Sequence, residues 1–331
     1  MVDEFGGPEQ LAVVDVPIPD PAPGEVAIAV DYAGVGFVDV LFRRGDFSTL
    51  LSPRFTPGIE VSGRVQSVGA DVDLPHGLPV VALLNDFSRG GRAGGYAEVA
   101  LARADLVIPL NERLQPEAAA GLLVNATTAQ WALQRSATIK RGDDVAVLGA
   151  SGGLGAVALR LAAAAGARRV IAVLGRPEAE PAARQAGATD IVLRGTLDDA
   201  LRNLTDGRGV DVVLDPVGGH ARAQVLEQVA FGGRHIVVGN ASGSDLSIST
   251  DQLWHTSLTV GGFSLGAAAA QLPETVAEEA LAALELLAAD GRQNSVEVVE
   301  LNDVIEVHRA LDAGRAPTKT VLQINPVPRP S

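Results

Sequence analysis

One run in the middle of the chain, Asp144-Val-Ala-Val-Leu-Gly-Ala-Ser-Gly-Gly-Leu-Gly-Ala-Val-Ala158, narrows the possible folds more than any other segment. It reads as a strand, a glycine-rich turn and a helix, in that order. Against the pattern G-x-G-x-x-G it has Ala150 in the first position and keeps Gly152 and Gly155 in the others. Gly152 lets the backbone approach a pyrophosphate with no Cβ between them, and Gly155 lets the helix lie close on the strand. Free N–H groups at the helix start carry partial positive charge and complete an anion site over Ala150, Ser151, Gly152, Gly153, Leu154 and Gly155. No Gly-Lys-Ser/Thr follows, which excludes a P-loop NTPase. A degenerate glycine pattern alone often does no more than join a strand to a helix, so its neighbours decide what it means.

Those neighbours alternate. Strands are expected at Asp144–Leu148, Arg169–Leu174, Asp190–Leu193, Val210–Leu214 and Arg234–Val238, with near-continuous Val, Ile, Leu and Ala, as a parallel sheet covered on both faces requires. Between them Leu154–Ala165, Glu178–Ala186, Thr196–Leu204 and Ala221–Ala230 are each long enough for a crossover helix. The fold class is therefore α/β, with a Rossmann-type doubly wound parallel sheet. Residues 1 to about 115 differ: short apolar runs (Glu25–Tyr32, Glu60–Val68, Val80–Asn85, Tyr96–Ala100) separated by Pro and Gly read as strands and turns. The tail, with a helix at Glu274–Ala289, a strand at Val296–Leu301, a helix at Asn302–Ala313 and a strand at Lys319–Ile324, is placed back with these N-terminal strands. The domains are then 121–264 for the dinucleotide and 1–120 with 265–331 for the substrate.

The second strand of the alternation ends Leu174-Gly175-Arg176. An Asp or Glu at this end would bond the ribose 2′-OH of NAD, whereas Gly175 followed by Arg176 suits a 2′-phosphate, with Arg194 after the next strand as a second contact. The expected cofactor is thus NADPH; the plainer alternative is that both arginines are solvated surface groups. Local arginines have to work against a formal charge of −14, which itself disfavours nucleic acid and anionic membranes as partners. The absence of cysteine excludes disulfides, thiolate-bound zinc, iron–sulfur clusters and a Cys nucleophile. The N-terminus lacks the basic and apolar regions of a signal peptide and no apolar run spans a bilayer, so a cytoplasmic location is expected.

Seven phrases in order along the chain carry a resemblance: Glu4-Phe-Gly-Gly-Pro-Glu9, Pro23-Gly-Glu-Val26, Gly34-Val-Gly-Phe-Val-Asp39, Pro57-Gly-Ile-Glu-Val-Ser-Gly63, Gly94-Gly-Tyr-Ala-Glu98, Leu148-Gly-Ala-Ser-Gly-Gly-Leu-Gly155 and Asp215-Pro-Val-Gly-Gly219. Together they resemble the zinc-free quinone oxidoreductases, the zeta-crystallin-like branch of the medium-chain dehydrogenase/reductase superfamily. The resemblance implies a β-rich GroES-like substrate domain beside the Rossmann domain. Zinc-dependent members have a Cys near Gly36 and a His in a Gly-His-Glu run that here is Gly58-Ile59-Glu60, so no metal site is implied. It also implies a nicotinamide site at Asn125 and Thr128, with Gly239 and Asn240, and a cofactor cleft lined by Phe263, Ser264 and Lys319. The substrate side would be Gly36, Phe37, Asp39, Arg43 and Phe47. The pattern often has Asn at Gly36 and Tyr at Phe47, which implies a smaller and less polar pocket wall here, and it usually has a few residues more before Glu4, which implies a truncated first strand.

The implied activity is hydride transfer to a quinone or another electron-poor α,β-unsaturated carbonyl, with Arg43, Asn125 and Thr128 as candidate catalytic donors to the oxygen that gains charge. Two alternatives stay open: an enoyl-thioester reductase of the polyketide type, disfavoured by Phe47, and an NADPH-binding structural or sensor protein without turnover. Ser257–Phe263 has the apolar alternation of an edge strand, and relatives pair it across a two-fold axis, so a homodimer is expected.

Overall fold

The computed structural model describes the chain apart from residues 19, 50, 85–93, 111, 293–295, 316–318 and 326–331. The chain divides into two units: Met1–Val124, Gly266–Leu281 and Gln293–Ser331 in the first, Asn125–Leu265 and Ala282–Arg292 in the second.

Elements are numbered along the chain. The first unit holds a seven-stranded sheet made of β1 (Glu25–Val35), β2 (Glu60–Val68), β3 (Pro79–Leu83), β4 (Val99–Arg103), β5 (Val107–Pro109), β12 (Val296–Glu300) and β13 (Lys319–Gln323). The order is β12-β13-β1-β2-β3-β5, with β4 also on β1. The tail does return to the N-terminal strands: β13 runs antiparallel to β1, with Tyr32 opposite Gln323 and Val35 opposite Thr320. Val26, Ile28 and Val30 of β1, Val61 and Val65 of β2 and Leu322 of β13 share one core of fully or almost fully buried side chains, the alternation that a half-buried antiparallel sheet needs. Near the N-terminus Val2 makes only isolated bridges, to Leu11 and Phe55. Asn85, at the end of the expected third strand, lies outside the described residues.

A helix not expected from the sequence, α1 (Phe37–Arg44), follows β1. Its start is fixed by Asp39, whose Oδ2 accepts from the Gly36 N–H at 2.8 Å, and its end by Gly45 at φ +88°. α10 (Val304–Asp312) completes this unit's described apolar packing, burying Val304 and His308.

The second unit is a six-stranded sheet of β6 (Asp144–Leu148), β7 (Arg169–Leu174), β8 (Asp190–Leu193), β9 (Val210–Asp215), β10 (Val229–Val237) and β11 (Thr259–Gly262). Its order, β11-β10-β9-β6-β7-β8, is parallel throughout; it places the crossover point between β6 and β9, where dinucleotides bind in doubly wound sheets. Crossovers are α3 (Gly153–Ala164), α4 (Glu180–Gln185), α5 (Ala200–Leu204) and α6 (Gly219–Leu226), and α7 (Thr250–Thr256) precedes β11. α2 (Pro116–Trp131), α8 (Leu265–Gln271) and α9 (Pro273–Ala289) each contain a boundary between the units.

The stretch Ala282–Arg292 was expected with the substrate domain and belongs instead to the second unit. The physical tie is Arg160 of α3, whose guanidinium grips both oxygens of Asp290 at 2.7 and 2.8 Å and donates to the Leu287 carbonyl at 2.9 Å.

Candidate cofactor and substrate sites

In the second unit the Gly-rich turn joins β6 to α3. Gly149 enters it at φ +61°. Gly155 is required by packing: a Cβ there would lie 2.4 Å from the Gly149 carbonyl oxygen and 2.5 Å from the Ala150 Cα. Gly152 is different. A Cβ on it would meet only the Gly149 oxygen, at 3.4 Å, and its φ of −84° suits any residue. Ser151, Gly152 and Gly153 are exposed, Leu154 is half-buried, and Ala150 and Gly155 are buried beneath them. No side chain caps the helix start at Gly152, so its first N–H groups are available to an anion. The turn fits a diphosphate because its exposed glycines leave open space above an uncapped helix terminus.

Gly175 and Arg176 emerge exposed at the end of β7. Arg194, at the end of β8, is brought to the same place: its Nη2 lies 3.6 Å from where a Cβ on Gly175 would be. At the ends of β9 and β10 two loops are zipped together, with the N–H groups of Val238, Ala241 and Ser242 donating to the carbonyls of Asp215, Pro216 and Val217 at 3.0, 3.0 and 2.8 Å. Gly218 is required here by its backbone, with φ +77° and ψ −163°, a conformation that L side chains rarely adopt. Gly239 is half-buried and Asn240 exposed.

On α2, Asn125 is half-buried and Thr128 nearly buried; three residues apart, they share a helix face. One turn further, Trp131 stacks on Phe263, with ring centroids 5.0 Å apart and planes 17° from parallel, and Arg135 lies over the indole at 5.2 Å. Phe263 is also held by its N–H, which donates to the Val237 carbonyl at 2.9 Å. Ser264 beside it is exposed.

The first unit gathers a buried polar cluster. Asp39 Oδ1 accepts from the Gly58 N–H at 3.1 Å while Oδ2 holds Gly36, and burial pushes this carboxyl up to about 6 despite those bonds and the Lys319 ammonium. Tyr96 lies between Asp39 and His308: burial and then Asp39 raise its phenol well above the ordinary value, and its hydroxyl is 3.4 Å from His308 Nε2. Burial, then the Arg43 guanidinium, push His308 down to about 4. Beside them Glu60, 1% exposed, accepts from Lys319 Nζ at 2.7 Å and from the Val124 N–H of α2 at 2.7 Å.

Two expectations for this unit change. Arg43 is not the donor to substrate that the resemblance implies: its guanidinium is fully buried, donating to the Gly6 carbonyl at 2.8 Å and to Asp312 at 2.7 Å. It is a structural tie between α1 and α10. Asp39 was placed on the pocket wall; with no exposed surface, it caps α1 from inside. Lys319, expected in a cofactor cleft, pairs its ammonium with Glu60 and keeps 12% of its side chain exposed. Gly36 stays beside this cluster, the position of its Cβ being 3.6 Å from both Asp39 Oδ2 and Lys319 Nζ. Phe37 is exposed at 37%, and Phe47 is half-buried against Phe42, ring centroids 5.2 Å apart.

The sequence reading missed Glu60, Tyr96 and Trp131 as parts of these clusters. Each pairs with a residue remote in the chain or carries no local pattern. Among the described residues no group of three or more His, Asp or Glu is placed to hold a metal ion, and no helix is long and apolar enough to cross a membrane.

Two family profiles match the chain, the alcohol dehydrogenase GroES-like domain over residues 22–112 and the zinc-binding dehydrogenase over residues 153–289. Among curated proteins, the quinone oxidoreductase of Sus scrofa is 33% identical over 249 residues, covering 72% of each chain. A mycobacterial quinone oxidoreductase of known structure is 30% identical with a TM-score of 0.84, over 97% of this chain and 98% of that one. The Escherichia coli quinone oxidoreductase, solved in complex with NADPH, is 26% identical with a TM-score of 0.84, over 97% and 98% of the two chains. With a parallel sheet opened by a glycine turn, a GroES-like sheet and these relatives, the chain belongs to the quinone oxidoreductase branch of the medium-chain dehydrogenase/reductase superfamily and is a pyridine-nucleotide-dependent oxidoreductase.

Proposed function

We propose that the protein is an NADPH-dependent, metal-free reductase that transfers a hydride to a quinone or another electron-poor α,β-unsaturated carbonyl compound. One observation carries the choice of cofactor: the Arg194 guanidinium stands beside Gly175 at the end of β7, where an NAD site would have an acid. With exposed Arg176 next to it, the position matches a 2′-phosphate in charge and in fork geometry. The Escherichia coli relative and a mycobacterial one were both solved with NADPH, which supports the same reading.

In this reading the amides of Ser151 to Gly155 hold the diphosphate, and Gly239, Asn240, Phe263 and Ser264 flank the nicotinamide. When bound, the reduced nicotinamide supplies the hydride. The chain's own residues orient and donate. Thr128 and Asn125 on one face of α2 donate hydrogen bonds to the substrate oxygen that gains negative charge, and one such donor is worth about 3 to 4 kcal/mol. Within the first unit, the surface at Gly36, Phe37 and Phe47 carries no polar side-chain atom. Gly36 and Ile59 carry no ligating atom at the positions where zinc-dependent members have Cys and His. We also take β11, the outer strand of its sheet, as the pairing edge of a homodimer.

The test is initial-rate kinetics with NADPH and NADH against one quinone and one enone. A preference of at least about ten-fold in kcat/KM for NADPH is expected, and R194Q with R176Q is expected to remove it. Oxidation of neither cofactor by either acceptor, or a preference for NADH, would sink the reading.

A further inference from the structure

At the C-terminal edge of the parallel sheet, Asp215 of β9 is fully buried and all its acceptor positions are used by three different elements. Oδ1 accepts from the N–H groups of Val217 and Gly218 at 2.8 and 2.9 Å. Oδ2 accepts from Arg222 Nε of α6 at 2.5 Å and faces His235 Nε2 of β10 at 3.1 Å. Burial alone would raise this carboxyl, but the bonds from His235, Arg222 and Gly218 outweigh it and hold it at about 2. Arg222, 6% exposed, uses the other arm of its fork on the Gly239 carbonyl at 2.9 Å.

A buried ion pair of this kind contributes little net stability compared with an apolar filling of the same volume. Its geometry, however, specifies something an apolar filling does not. One guanidinium ties the loop after β9 to a single peptide plane of the loop after β10. Because the peptide is planar and trans, fixing the Gly239 carbonyl towards Arg222 turns the N–H of Asn240 to the opposite side.

We propose that Asp215 and Arg222 are positioning residues for the nicotinamide half of the cofactor, acting by setting the Gly239–Asn240 peptide plane. This rests on the reading that Gly239 and Asn240 flank the nicotinamide. Neither residue is a donor to the cofactor in this role, and the adenosine half, at Gly175 and Arg194, is served by other strands.

The test compares wild type, R222K, R222M and D215N for kcat and KM with NADPH, for affinity towards adenosine 2′,5′-bisphosphate as a probe of the adenosine half, and for thermal midpoint. R222M and D215N are expected to lose about 10- to 100-fold in kcat/KM for NADPH, with bisphosphate affinity unchanged within two-fold. R222K keeps the charge and loses the fork, so an intermediate loss is expected. Unchanged NADPH kinetics in R222M would overturn the proposal, as would equal loss of NADPH and bisphosphate affinity alongside a fall in midpoint, which is what a merely structural role gives. If R222M and D215N do not fold, R222K decides on the same readouts. Wild type that binds the bisphosphate but neither binds nor oxidises NADPH would overturn the nicotinamide assignment beneath the proposal, a result visible without any variant.

Discussion

Asp39 and His308, both buried and joined through Tyr96, make opposite demands on the pH of the medium. Asp39 has a folded value of about 6 against 3.8 for the free side chain, so its contribution to stability is full below about pH 4 and is lost as pH rises towards 6. His308 has a folded value of about 4 against 6.5, so its contribution is full above about pH 6.5 and is lost as pH falls towards 4. Each is worth about 3 kcal/mol across its window, and between pH 4 and 6 they largely cancel. Tyr96, Glu60 and Lys319 face the aspartate, and Arg43 and Asp312 the histidine. Urea unfolding from pH 4 to 6 is therefore expected to show H308Q gaining stability relative to wild type as pH falls, and D39N losing it. Parallel profiles in all three proteins would mean that burial does not set these protons. None of this was legible in the sequence. Arg43 and Asp312 are 269 residues apart, and nothing in Phe37–Arg44 distinguishes a guanidinium turned inward from one turned to a substrate.

At the scale of elements, the turn between β6 and α3 makes its two glycines separable. Gly155 faces backbone at 2.4 and 2.5 Å, and backbone does not yield cheaply, so G155A is expected to destabilise by about 1 to 3 kcal/mol and to lower the thermal midpoint with or without cofactor. Gly152 has room for a methyl group in the free protein. G152A is expected to keep the wild-type midpoint and to weaken NADPH binding about ten-fold or more, measured by nucleotide fluorescence titration, because the methyl group occupies the diphosphate's approach. A G152A protein with wild-type affinity would move the diphosphate elsewhere. β6 and β7 lie where the sequence puts them, because strands buried on both faces are continuous apolar runs cut off by Asp, Arg or Gly, and the half-buried edge strand β8 is bounded the same way by Asp190 and Arg194. The crossovers are less legible. Pro177 and Pro181 break the expected Glu178–Ala186 helix into a single turn of 3₁₀ helix and a short α4. α6 stops at Leu226 because the Gln228 side chain leaves the helix direction to bond Leu197 and Leu201. α1 went unread because its N-terminal cap is a glycine whose partner is Asp39, and no Ser, Thr or Asn announces it.

At the scale of the molecule, the ordered phrases made the two-sheet architecture legible, whereas the allocation of Ala282–Arg292 rests on an Arg160–Asp290 pair that no local pattern encodes. β11 is one of the two outer strands of the parallel sheet. Among the described residues it pairs with β10 alone, leaving one row of backbone donors and acceptors at the sheet's edge. Such edges are usually blunted by Lys, Pro or a bulge, and Ser257–Phe263 has no charge and no proline in a chain with a net charge of −14. Pairing with the same strand of a second copy satisfies both rows at once and closes the assembly about a two-fold axis. Wild type is then expected to sediment at twice 34.0 kDa. Thr259 is exposed at this edge, so T259K puts one ammonium from each copy at the shared edge with little effect on the monomer fold. It is expected to shift the mass towards 34.0 kDa at micromolar concentration, with the thermal midpoint becoming independent of protein concentration. Wild type sedimenting as a monomer at tens of micromolar would rule the pairing out. A T259K protein that stayed dimeric would place the interface on another surface.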